Sequence, residues 1–260
     1  MSEHVSSPSV FARRSVLLGS AAVVAASLID GGKNRALAGG AAAGPWVVEL
    51  FTSQGCSSCP PADVYLGKLA KRPDIVALSF HVDYWDYIGW KDPFASPQTT
   101  ERQRAYARVL KQRYVYTPEM VVDGLGDDAG QPPAIDALLA QAARRALKRA
   151  TPDLSRDAGG NLTIKLAAYD LEGESADVTL AVYDRKLSTK IGRGENGGQT
   201  LDNFNVVRRL ETVSLWSGMP AVWTVPVGPL QPGQGLAVLV QHADQGPMIG
   251  ANKLDVAFSG

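Results

Sequence analysis

The chain has 260 residues, 45% of them hydrophobic, and its 26 basic residues balance 26 acidic ones. That length supplies one large domain or two modest ones with a packed core. Zero net charge and a pI near 6.8 argue against a nucleic-acid or polybasic membrane role. Two cysteines are too few for a disulfide framework or a four-thiolate zinc site, and only three histidines argue against an all-protein catalytic zinc centre.

Residues 1–38 read as an export signal. Arg13 and Arg14 precede an uncharged run that reaches Ile29, and Ala36-Leu37-Ala38 forms an A-x-A cleavage site. The run is shorter than the roughly 20 residues that span a bilayer. Ala12-Arg13-Arg14-Ser15-Val16 resembles a twin-arginine signal, without the Phe and Lys often found there, so the general secretory route stays open. No later segment is apolar enough to span a membrane. The reading is a periplasmic or secreted protein with no stable membrane insertion after signal removal. In an oxidising space a cysteine pair acquires meaning.

From Trp46 to Arg149, short apolar strands alternate with helical stretches. Val47–Phe51 reads as a strand, Pro60–Lys71 as a helix and Ile75–Asp83 as a second strand. Ser96 caps a helix that has Pro97 at its first position. Met120–Val122 is a third strand with a turn at Asp123-Gly124, and Ala134–Arg149 is an amphipathic helix. After Thr151-Pro152, short alternating strands between Gly/Pro turns predict a β-sandwich. The expected organisation is an α/β domain over 39–150 followed by an all-β domain over 151–260.

The chemistry concentrates in Cys56-Ser57-Ser58-Cys59-Pro60-Pro61, between a strand and a helix. A sulfur at a helix N-terminus meets unpaired N–H groups and the positive end of the dipole, which favour thiolate. Cys56 is then the exposed, attacking sulfur and Cys59 the resolving one. Three uses compete: dithiol redox chemistry, a structural disulfide and a metal site. The strand–CxxC–helix context favours the first, and so short a loop gains little entropic stability from a bridge.

Cys56-Ser57-Ser58-Cys59 after the first strand and Tyr116-Thr117-Pro118 before a strand and turn resemble the thioredoxin superfamily over about residues 45–150. The resemblance implies a cis Thr117–Pro118 bond facing the cysteines and presenting backbone to an extended substrate. Gly55 stands where thioredoxins proper have Trp, and Ser57-Ser58 replaces Gly-Pro. These departures bear on the redox potential and the reductase partner. A narrower resemblance covers most of the chain after the signal. Phe51–Cys56, His81-Val82-Asp83-Tyr84-Trp85-Asp86 and Arg193-Gly194-Glu195-Asn196 are similar to a secreted bacterial family known mainly as a thioredoxin-like domain of unknown function. That family implies a fold and an export route, but no substrate.

His81 and Asp83 are two apart on the second strand and so share a face, with Asp86 following. Thioredoxin-like proteins often carry a carboxylate beneath the cysteines. Asp83 is the candidate general base for Cys59, with a hydrogen-bonded strand end as the plainer alternative. His81 with two thiolates would also suit copper(I). Tyr84, Trp85, Tyr87, Trp90 and Phe94 either grip an unfolded peptide or pack into a core or between the domains, with Trp85 the substrate-binding candidate. Glycine-rich Arg193–Gly198 lacks the following helix and Lys-Ser/Thr of a phosphate loop. A tight loop using positive φ at glycine is the default reading, with a groove near Cys56 lined by its charged and amide groups as the alternative.

The expected function is an exported thiol–disulfide oxidoreductase in which Cys56 attacks, Cys59 resolves, Asp83 moves a proton, and Thr117, Pro118 and Trp85 bind substrate. It needs no dissociable cofactor and no metal. It takes protein or small thiol/disulfide substrates and a partner that recharges the pair. The alternative is a non-catalytic periplasmic binding or copper-carrier module on the same fold.

Overall fold

The computed structural model describes residues 44–145 and 148–255. The export segment expected over 1–38 lies outside the described residues. Among the described residues, no helix is long and apolar enough to cross a membrane.

The chain opens with β1 (Trp46–Thr52), α1 (Pro60–Leu69) and β2 (Ile75–His81). Every residue of both strands is buried, which is why they read as apolar runs rather than alternating ones. After a 3₁₀ turn at Asp86–Ile88 come α2 (Pro97–Val109), β3 (Glu119–Val122), β4 (Gly126–Asp128) and α3 (Pro132–Arg145). The Ser96 hydroxyl accepts from the Thr99 N–H and Pro97 follows it, so α2 starts where its capping residues dictate. β1 pairs in parallel with β2 and antiparallel with β3.

The remaining strands are β5 (Asp153–Arg156), β6 (Asn161–Leu166), β7 (Ala176–Lys190), β8 (Thr200–Trp216), β9 (Ala221–Pro226), β10 (Gln234–His242) and β11 (Met248–Asp255). Residue 151 falls in the connection between α3 and β5, yet one eight-stranded sheet runs across it in the order β11-β10-β7-β8-β2-β1-β3-β4. The join is slight: β2 meets β8 in parallel at Ser79 and Val206. A three-stranded sheet, β5-β6-β9, packs Leu162, Ile164 and Leu166 against Val178, Leu180, Leu236 and Val238.

The first half of the large sheet is covered on both faces. Val48, Leu50, Ala77 and Met120 pack on Leu66 of α1 and on Ile135 and Leu139 of α3. On the other face, Phe51, Phe80 and Val121 pack with Tyr106 of α2 and with Ala237 and Leu239 of β10. Glu49 in the middle of β1 is buried because Arg102 of α2 reaches it at 2.6 Å and the Tyr106 hydroxyl also donates to it.

β7 and β8 form a hairpin much longer than the short strands predicted there. Their shared register extends from Ala176–Trp216 out to Lys190–Thr200. The outer part leans on α1: the Phe204 ring lies where a side chain on Gly67 would stand, 2.6 Å from an added Cβ. The tip of this hairpin therefore arrives at the N-terminal end of α1.

Candidate functional site

Cys56 and Cys59 are joined as a disulfide between β1 and α1, with Cα atoms 5.5 Å apart. Cys59 is the N-cap residue of α1, and Pro60 and Pro61 follow in the first turn. The expectation of an exposed Cys56 is not met. Cys56 is 1% exposed and Cys59 0%, while Ser57 and Ser58 between them are exposed. The amide supply also differs from the expected one. Pro60 and Pro61 have no N–H, the Ala62 and Asp63 N–H groups bond to Cys59 O, and the Cys59 N–H bonds to Cys56 O.

The hairpin tip supplies the cover. The Asn196 side-chain amide donates to Gln54 O at 2.9 Å and to Cys56 O at 3.0 Å, and Asn196 is itself buried. The Glu195 carboxylate accepts from the Ser57 N–H at 3.1 Å. Residues about 140 positions downstream thus clamp the cysteine loop. On another side, Cys56 Sγ lies 3.8 Å from Thr117 O and 3.3 Å from Ser58 Oγ. The Thr117–Pro118 bond is cis, and Pro118 is buried. The Trp85 indole donates to Thr117 Oγ1 at 2.7 Å, and Tyr87, 82% exposed, stacks on Trp85. Gly55 has a local reason: a Cβ there would stand 3.2 Å from Trp85 Cβ and from Ile88 Cδ1. A side chain at that position would press on both neighbours.

Cys56, Cys59, Thr117, Pro118 and Trp85 are thus brought together, and Asp83 is not among them. β2 ends at His81, so strand alternation no longer governs Asp83. Its carboxylate accepts from the Thr100 hydroxyl of α2 at 2.7 Å, the strand-end role. The other aromatics anchor the segment: Trp90 donates to Gln54 Oε1, Tyr84 to Gln103, and Phe94 lies edge-on to His81.

A buried carboxylate close along the chain to the cysteine pair is Asp63, one turn beyond Cys59 on α1 and 4% exposed. The Thr52 hydroxyl donates to Asp63 Oδ2 at 3.1 Å, and Oδ1 has no hydrogen-bond partner. Burial pushes its pKa up to about 6, against the pull of His81, Thr52 and Asn203. His81, on the strand neighbour of Thr52, holds Asp92 at 2.7 Å through Nδ1, and its Nε2 is unpartnered. Burial works against the Asp92 charge, but His81 and the N–H groups of Gln54 and Phe94 keep its pKa below the usual range. A second buried acid, Glu119, follows Pro118. Burial pushes it up to about 7 despite bonds from Gln112 and Gln103. Sequence reading passed over Asp63, although it shares the inward stripe of α1 with Ala62, Leu66 and Leu69. An acid on an apolar helix face is the signal that was there.

The arrangement holds a disulfide at a strand–helix junction, a covering loop and, one turn along α1, a buried, protonatable carboxylate. Among the described residues, no group of three or more His, Cys, Asp or Glu is arranged to hold a metal ion, and His81 Nδ1 is taken by Asp92.

No curated protein matches the chain. The chain is similar to a protein from Agrobacterium tumefaciens of known crystal structure, with TM-score 0.68 and 34% identity, covering 82% of this chain and 94% of that one. An endonuclease/exonuclease/phosphatase from Beutenbergia cavernae gives TM-score 0.24 at 19% identity over 40% of this chain and 23% of that one, too low for a shared fold. Residues 47–241 match the family described as "Protein of unknown function (DUF1223)", and the chain belongs to that family.

Proposed function

We propose that this protein is an exported thiol–disulfide oxidoreductase, built on a thioredoxin-like domain whose dithiol is guarded by a hairpin from the all-β half. The observation that carries the reading is the Cys56–Cys59 pair at the strand–helix junction, with Thr117 O 3.8 Å from Cys56 Sγ. In the reduced protein, the Cys56 thiolate attacks one sulfur of a substrate disulfide. A mixed disulfide forms and the other substrate sulfur leaves as a thiolate that takes up a proton. Cys59 then loses its proton and attacks Cys56 Sγ, which closes the internal disulfide and releases the second substrate thiol. The substrate gains two electrons and two protons, and an external dithiol restores the pair by the reverse exchange.

Asp63 is the group we assign to the Cys59 proton, in place of Asp83. It lies one turn from Cys59, has an unpartnered oxygen, and is poised near neutrality. Thr117, Pro118 and Trp85 form the side on which substrate approaches. The export signal would deliver the protein to the periplasm or the exterior, where thiol and disulfide partners are both present.

The near-complete burial of Cys56 favours a second reading, a static structural disulfide. Turnover separates the two. The wild-type protein should catalyse reduction of a protein disulfide by excess dithiothreitol, and Cys56→Ser should abolish that catalysis. If wild type adds nothing to the uncatalysed rate, the oxidoreductase reading fails.

A further inference from the structure

The direction of the exchange depends on how well the reduced pair is stabilised. A strongly oxidising pair has a well-stabilised Cys56-type thiolate, held by free amides and positive charge at the helix start. We propose, resting on the dithiol reading above, that this pair is a low-potential dithiol. It gives electrons to substrate disulfides rather than donating its own disulfide, and Glu195 together with Pro60 and Pro61 makes it so.

Most of the amides around Cys56 are already spent or missing. Its own N–H bonds to Ser53 O at 3.1 Å and the Cys59 N–H to Cys56 O at 3.3 Å. The Ala62 and Asp63 N–H groups bond to Cys59 O at 2.9 and 3.1 Å. Positions 60 and 61 are proline and have no N–H to give. An amide at 60, the first helical position after the Cys59 cap, would be one more unpaired N–H at the start of α1. The Ser57 N–H goes to Glu195. What remains is Ser58, whose N–H takes no part in these bonds and whose hydroxyl lies 3.3 Å from Cys56 Sγ.

The charges add to this. Ser57, through its hydroxyl and then its N–H, holds the Glu195 carboxyl below the usual range, so it is anionic at neutral pH. Thr117 O lies 3.8 Å from the sulfur, and Asp63, one turn along α1 from Cys59, adds a buried acid nearby in the chain. A thiolate at Cys56 would meet a carbonyl and, at the next residue, an amide already held by a carboxylate, with the Ser58 hydroxyl as its near donor.

The position of Glu195 is built rather than incidental. Asn196 is buried and anchored to Gln54 O and Cys56 O. The loop closes on itself through Gly197 N to Gly194 O at 3.0 Å and Gly198 N to Ile191 O at 2.8 Å. Gly194, at φ +77°, leaves room for Trp90, whose Cβ would stand 3.3 Å from an added Cβ. The loop therefore delivers one carboxylate to one amide of the cysteine turn.

The test equilibrates the full chain with glutathione mixtures and reads the reduced fraction by mass after acid quench. In parallel it follows iodoacetamide alkylation of Cys56 against pH in a Cys59→Ala background. Wild-type Cys56 should alkylate with a midpoint no lower than that of an ordinary thiol, about 8.5. Glu195→Gln should raise the reduced-to-oxidised ratio at fixed glutathione roughly threefold, the scale of one screened exposed charge, and lower the alkylation midpoint. Glu195→Ala, which also frees the Ser57 amide, should move both further, and Pro60→Ala should move them in the same direction. A wild-type midpoint below about 7 would overturn the proposal, as would a Glu195→Gln protein with unchanged or oppositely shifted values. A pair that exchanges with glutathione but behaves in that way leaves the oxidoreductase reading standing. One that never exchanges removes both.

Discussion

Asp63→Asn should make the protein more stable above pH 6 and leave it almost unchanged at pH 4. Asp63 is 4% exposed, its ordinary pKa of 3.8 is pushed up to about 6 by burial, and one of its oxygens has no partner. Between those two values the folded state holds a proton that the unfolded state has lost. Stability therefore falls as pH rises through that window, with a slope set by one proton. A shift of about 2.2 units at 1.36 kcal/mol each amounts to about 3 kcal/mol, fully present as a penalty above pH 6. Asparagine is neutral throughout and can still accept from Thr52, so it removes the penalty and leaves the packing. For a chain of this size that is about 6–12 °C in Tm. Glu119 titrates in an overlapping range, so the informative quantity is the variant-minus-wild-type difference from urea unfolding at pH 4, 5, 6 and 7.5. A difference that stays flat with pH, or shrinks as pH rises, would refute the reasoning. The same variant should slow resolution of mixed disulfides by Cys59, which sets function against stability at one residue.

Two further substitutions probe the cover and the approach side. Asn196→Ala removes two hydrogen bonds to buried carbonyls and should cost about 2–3 kcal/mol in thermal unfolding. It should also speed reduction of the Cys56–Cys59 bond by dithiothreitol; an unchanged reduction rate would show that the hairpin tip does not limit access. Trp85→Phe keeps the ring but loses the 2.7 Å bond to Thr117. It should raise KM for a protein disulfide several-fold while costing less than about 1.5 kcal/mol of stability, and an unchanged KM would take Trp85 out of the binding side.

The strands and helices of the first half were legible because their signals are local. Buried runs such as Val47–Phe51 and the Ser96-Pro97 start of α2 carry their own explanation. The long β7–β8 hairpin was not. Its outer stretch, Arg185–Lys190 against Thr200–Phe204, has no continuous apolar face, since half of it is solvent-facing, and its pairing is set by register rather than by pattern. With it went the clamp, because nothing local links Asn196 to Cys56. Asp83 was chosen by alternation from His81, but the strand stops at His81 and α2 captures the carboxylate through Thr100. Asp63 was legible in principle and was passed over for its place on a helix rather than a strand. Cys56 read as exposed because a helix start usually is. Segments distant in the chain, the Thr117 stretch against its sulfur and the hairpin tip on its backbone, close around it.

The most direct test of the dithiol account is trapping. Reduced Cys59→Ser protein mixed with a glutathione-disulfide or protein-disulfide substrate should accumulate a one-to-one mixed disulfide, located at Cys56 by peptide mass, that dithiothreitol releases. Cys56→Ser should trap almost none. If Cys59→Ser forms no adduct, and the wild-type disulfide in the folded protein survives excess dithiothreitol, the pair is a static bridge and the account is wrong.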